Sequence, residues 1–232
     1  MSLPIVLLVG VIPAVLAIVA STAYSYRKPS DHTICLVQAL GSGVMLATIV
    51  TELLPHFTQR GEWGGWIAFA VGVILMVGIN ELTPLIQKRK TQAAFLTAYF
   101  IEFFIDGVLI GLSSVIGLKA LILIGISIAF CATTCSLSIV SRLMKHNYSR
   151  FQRSMWLFLI VCCLPGGAVL AHIGATAYIS ALPVVVAFGA GALLYLSAIE
   201  LLLEAFENGK KLSITSIFFV GFWIILLFEV IL

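Results

Sequence analysis

The stretch Tyr99-Phe100-Ile101-Glu102-Phe103-Phe104-Ile105-Asp106-Gly107-Val108-Leu109-Ile110-Gly111 sets two carboxylates four residues apart in an otherwise apolar run. At helical spacing both fall on one face. The run is too apolar for a soluble surface. At the centre of a membrane helix, however, an ionisable group costs about 3 kcal/mol or more on insertion scales. The segment therefore reads as a membrane helix whose acids face the protein interior, toward a cavity, a proton or a cation. A cation is the sharper reading, because no Lys, Arg or His lies mid-span. The other is a protonated carboxyl hydrogen-bonded between helices.

The rest of the chain agrees with a lipid environment. Of 232 residues, 61% are hydrophobic and 10% charged, and the mean hydropathy of +1.15 lies outside the range of soluble globular domains. Runs of about 20 apolar residues cover a hydrocarbon core of about 30 Å. Eight such spans are expected, at 3–24, 33–55, 64–86, 92–115, 119–144, 154–176, 182–205 and 213–231. The expected fold is all-α, a single transmembrane domain over 1–232 with short polar connections such as Arg27-Lys28-Pro29-Ser30-Asp31 and Glu207-Asn208-Gly209-Lys210-Lys211.

Eleven of the thirteen Lys and Arg fall in odd-numbered connections; only Arg60 and Lys119 fall in even ones. Basic loops are retained in the cytoplasm, which places both termini outside and the chain as a multi-pass protein of the cell membrane. No basic residue precedes the first apolar run and two follow it, the reverse of a cleaved signal peptide, so that run is read as a retained span. Topology accounts for the net charge of +3 without a nucleic-acid partner. Cys35, Cys131, Cys135, Cys162 and Cys163 all fall inside spans and are expected as free thiols.

The chain also echoes itself. The segment from Gly41 to Leu54 overlays that from Gly189 to Leu202 at an offset of 148, with two Gly, Glu52 on Glu200 and three Leu coinciding; Glu81 falls on Glu229. Spans two and three thus repeat as seven and eight. A shift of five spans reverses direction through the membrane, the inverted 3+2+3 arrangement used for alternating access. Chance recurrence of small residues is the plainer explanation.

Span five carries Ser127, Cys131, Thr134, Cys135 and Ser138 at helical spacing. Two carboxylates from one helix and two thiolates from the next, Glu102, Asp106, Cys131 and Cys135, would form a four-ligand metal site suited to Zn2+ or a softer divalent ion. Taken alone, the two thiols read equally as small core residues. Glu52 and Glu200 stand toward opposite ends of a path across the membrane, or are simply solvated among headgroups. Met45 is a transient soft ligand by position or a core methionine. Pro165-Gly166-Gly167 breaks or kinks span six, and His172 is read as packed or interfacial.

These segments resemble the ZIP family of divalent-metal transporters. Gly43 through Glu52-Leu53-Leu54-Pro55-His56 is similar to the family's glycine-rich stretch ending in His-Leu-Leu-Pro-Glu. The segment from Ala187 through Gly191 to Glu200-Leu201-Leu202-Leu203-Glu204-Ala205 is similar to its counterpart. Asp106-Gly107 with Gly111 resembles the end of the span-four pattern His-Asn-x-x-Asp/Glu-Gly. The departures fall on the ligands. Glu102 and Phe103 stand in place of that His and Asn, and Cys131-Ala132-Thr133-Thr134-Cys135 replaces His-Glu-x-x-His. Leu164 stands where many relatives have an acid, and Gln87-Lys88-Arg89-Lys90-Thr91 replaces a long histidine-rich loop.

The resemblance implies a transporter rather than an enzyme, with eight spans, inverted outer triplets, inward movement of the ion and a homodimer. The divalent metal is the substrate, Zn2+ first and Cd2+, Fe2+ or Mn2+ as alternatives, held at one altered site. The competing reading is a non-transporting relative that senses metal or serves a membrane partner. An acidic-dyad intramembrane hydrolase is a weaker third, since no second catalytic element is visible.

Overall fold

A chain in lipid has no water to receive its backbone N–H and C=O groups, so each apolar run must close its own hydrogen bonds as a helix. The computed structural model describes residues 2–26, 31–58, 63–87, 92–208 and 211–231; the side chains of 80–95 and a few single positions, Glu200 among them, lie outside that description. Eight helices follow in order. α1 is Leu3–Tyr26, α3 Trp63–Gln87, α4 Gln92–Ile116, α5 Leu118–Lys145 and α8 Lys211–Ile231. α2 runs through Asp31–Thr48, a π-helical turn Ile49–Leu53 and Leu54–Thr58; α7 likewise runs through Leu182–Tyr195, a π stretch Leu196–Leu203 and Glu204–Asn208. α6 comes in two pieces, Arg150–Val161 and Cys163–Ala177.

Seven of the eight, all but α3, are long and apolar enough to cross a membrane; the described apolar part of α3, Trp63–Ile79, is shorter. This is the make-up of a multi-pass membrane protein. Glu81, matched above to Glu229, lies with its side chain outside the described residues.

The interruptions have local causes. Pro165 has no N–H to return to the Val161 carbonyl, and α6 breaks there, at Cys162. Leu54 donates its N–H to the Ile49 carbonyl, five residues back, immediately before Pro55, which has none to give. Between α5 and α6 the chain reverses sharply. Asn147 takes a left-handed conformation with φ of 59°, and the Tyr148 N–H reaches the Leu143 carbonyl at 3.1 Å. Ser149 and Gln152 then form a reciprocal capping box that starts α6.

Packing is dominated by four helix pairs, α1 with α5, α4 with α6, α2 with α8 and α3 with α7. Three are backbone-to-backbone seams that leave no room for a Cβ. At Gly107 a Cβ would meet the Leu164 carbonyl oxygen, and at Gly167 the Phe104 carbonyl oxygen. In α2 and α8, Gly43 faces Phe218 and Phe222 while Gly221 faces Leu40 and Val44; in α3 and α7, Gly191 faces Phe69 and Val73 while Gly72 faces Phe188 and Ala192. Small residues at such contacts let helices approach closely enough for dispersion to hold them. Where α2 crosses α7, Ser42 Oγ donates to the Ser197 carbonyl at 2.8 Å and Ser197 Oγ returns a bond to the Ser42 carbonyl at 3.1 Å.

Gly107→Val should push α4 off α6 and destabilise the protein by about 1–3 kcal/mol or more. Gly174→Ala, where nothing lies within 4 Å of an added Cβ, should be neutral or stabilise by about 0.4–1 kcal/mol. Thermal unfolding of the two variants in detergent measures the difference.

Candidate metal centre

Gly117 alone separates α4 from α5, so the two helices run antiparallel as neighbours. Glu102 on α4 and the Cys131–Cys135 turn on α5 stand at similar distances from that corner and come level with each other. Spacing of i, i+4 points both thiols the same way, with Cys131 Sγ 3.9 Å from Cys135 Sγ. The Cys135 thiol donates to Glu102 Oε1 at 2.8 Å. One ligand atom from each of Glu102, Cys131 and Cys135 lies within 4.8 Å of the others. Among the described residues no other three His, Cys, Asp or Glu side chains converge this closely.

Burial makes the centre chemically distinctive. Cys131 is 0% exposed and Cys135 8%, while Glu102 is half-buried. A carboxyl oxygen and two soft sulfurs meet where water is scarce, and that donor set fits a borderline or soft divalent cation. The Thr134 hydroxyl beside them donates to the Cys131 carbonyl at 2.8 Å. Asp106, expected as the fourth ligand, is fully buried one turn along α4 but is not among the three that converge. Phe103 and Leu164, at positions where the ZIP resemblance has polar ligands, are both wholly buried and apolar.

The expected path residues take separate places. Met45 is fully enclosed in the core that also contains both cysteines. Glu200 lies in the π stretch of α7, and its side chain is outside the described residues. Glu52 sits in the π turn of α2, only 8% exposed, with its carboxyl close to that of Glu229 on α8. Lys119, at the start of α5, holds Glu229 in turn at 2.7 Å, with a second bond to the Glu229 carbonyl at 2.9 Å. The Glu52–Glu229–Lys119 group was missed by reading spans separately. The signal was there: Lys119 is the single basic residue of its connection and Glu229 the single acid of its span.

The thiols are free, including Cys162, exposed at the break in α6. His172 is buried, with Nδ1 2.6 Å from Ser114 Oγ, and acts in packing. Thr48 and Ser127 tie α2 to α5 through hydroxyls 2.6 Å apart.

Fold and centre together define a multi-pass helical membrane protein with an interior carboxylate–dithiol cluster. No model of a known protein family matches the chain, and no curated protein matches it either.

Lys119→Met leaves Glu229 facing Glu52 without its cation and should cost about 1 kcal/mol. The double variant Lys119→Met/Glu229→Met should recover most of that loss in a detergent melting experiment.

Proposed function

We propose that the chain carries a divalent transition metal, Zn2+ first, across the membrane by a ZIP-like design, with the Glu102–Cys131–Cys135 cluster as the central binding station. The observation that carries this reading is the convergence of one carboxyl and two thiols, from two adjacent helices, inside the membrane region. With Zn–S bonds of about 2.3 Å, a tetrahedral Zn2+ holds two sulfurs about 3.8 Å apart. The two thiols already stand at 3.9 Å. Sulfur and carboxyl oxygen would separate from 2.8 Å to about 3.6 Å as the ion takes the place of the thiol proton. Three protein ligands leave a fourth position open, which suits an ion that must leave again. Asp106, next on the same helix face, is the following step.

An inverted repeat supports the transport mechanism. Exchanging α1 with α6, α2 with α7, α3 with α8 and α4 with α5 turns the pair α1–α5 into α6–α4, and α2–α8 into α7–α3, which are the four dominant contacts. The seams repeat residue by residue. Leu40, Gly43 and Val44 have counterparts 148 residues on in Phe188, Gly191 and Ala192; Phe69, Gly72 and Val73 have theirs 149 on in Phe218, Gly221 and Phe222. Two halves of opposite direction packed alike would exchange conformations about a pseudo-two-fold axis in the membrane plane, the basis of alternating access. With eight crossings both termini share a side, outside by the distribution of basic residues.

Liposomes loaded with a metal-sensitive dye test the proposal. Wild-type protein should admit Zn2+, and Cys131→Ser/Cys135→Ser and Asp106→Ala/Cys135→Ala should each lower the rate about tenfold or more. Equal flux in all three would remove the site. Metal bound to the wild type without flux would favour the sensor reading.

A further inference from the structure

Arginine keeps its charge under all physiological conditions, so a buried guanidinium needs an acceptor. Arg153, near the start of α6, is 9% exposed, and its Nε and Nη1 are buried with no hydrogen-bond partner among the described residues. It borders a cavity of about 280 Å³ between α6 and the end of α1, lined also by Ser21, Ser25 and Tyr26 and by Arg150 and Ser154. Among the described residues no carboxylate lines that cavity. The Ser21 and Ser25 hydroxyls donate to carbonyls of α1 itself, at 2.7 and 3.1 Å, and neither accepts from the guanidinium. Arg150 adds a second positive charge, its guanidinium 5.7 Å from the centre of the Tyr26 ring. Among the described residues the pocket holds two cations and no anion, and the buried guanidinium still needs an acceptor.

Its position indicates what completes it. Tyr26 and Phe151 are 76% and 78% exposed, aromatic side chains at helix ends where the headgroup layer begins. Tyr26 also borders a second cavity, about 560 Å³ and almost wholly apolar, along Ala23, Ile34, Val37 and Leu137 between α1 and α2. A polar pocket and an apolar groove meeting at one tyrosine match a headgroup and its acyl chain.

We propose that Arg153 and Arg150 form a phosphate-binding pocket, occupied in the membrane by the headgroup phosphate of an acidic phospholipid. The planar guanidinium offers two parallel N–H donors to phosphate oxygens, and the basic connections on this side attract acidic lipids. The site is independent of the metal centre.

Full-length protein in a maltoside detergent, which contains no phosphate, tests this by native mass spectrometry and melting. Three additions are compared: short-chain phosphatidylglycerol, diacylglycerol of the same chains, and inorganic phosphate. Wild-type protein should retain one phosphatidylglycerol and melt higher with it, and diacylglycerol should do neither. Arg153→Gln should bind the phospholipid about tenfold more weakly, the effect of losing a charge-assisted bond. Without lipid it should melt no lower than wild type, because a buried unpaired charge is gone. Arg150→Glu, at an exposed position, should also weaken binding. Inorganic phosphate binding in an Arg153-dependent manner, with no preference for the phospholipid, would uphold the phosphate pocket and make free phosphate its occupant. Binding of neither probe, or equal binding by wild type and both variants, would overturn the proposal.

Discussion

A helix gains nothing from the hydrophobic effect by leaving lipid for another helix, so close backbone approach has to hold a membrane bundle together. That constraint organises this protein. The seams at Gly43, Gly72, Gly107, Gly167, Gly191 and Gly221 bring carbonyl oxygens against glycine Cα atoms, at a separation no other residue permits. The α4–α6 seam fixes the height of α4. The single-residue corner at Gly117 then fixes α5 against α4, and only with both settled does Glu102 stand level with Cys131 and Cys135.

Polar chemistry is rationed in such an interior, and here it collects at three separate places. The carboxyl and thiols of α4 and α5 occupy the middle. Glu52, Glu229 and Lys119 bring α2, α5 and α8 together near one end, where Lys119 pairs with Glu229. Arg153 and Arg150 lie at the opposite end of α5, positive with no counter-charge among the described residues of their pocket. Low dielectric strengthens each of these interactions and raises the cost of leaving any of them incomplete.

Helix positions were legible in the sequence because length and hydropathy decide them: each expected apolar run is occupied by a helix, extended at its ends by a few residues. The face shared by Glu102 and Asp106 was also legible, but sharing a face is not sharing a height. One turn of α-helix rises about 5.4 Å, enough to take Asp106 out of the cluster around the thiols. The π turns were not legible, since they depend on hydrogen-bond register rather than on any side-chain pattern; Pro55 marks only the first. Their lengths differ, five residues in α2 and eight in α7. Packing partners of Lys119 and Arg153 lay beyond any single-span reading, because each is decided by which helices become neighbours.

The break in α6 has a mechanical meaning. Cys162 keeps a helical conformation, its N–H reaching the Phe158 carbonyl at 3.0 Å and its carbonyl accepting from Gly166 at 3.4 Å, so the break is a loosened turn within one rod, softest to bending at that point. The Cys163–Ala177 part is locked to α4, and through it to the ligands; the Arg150–Val161 part carries the two arginines against α1. A bend concentrated at that turn would let the region beneath the membrane surface tilt with less strain passed to the centre of the bundle.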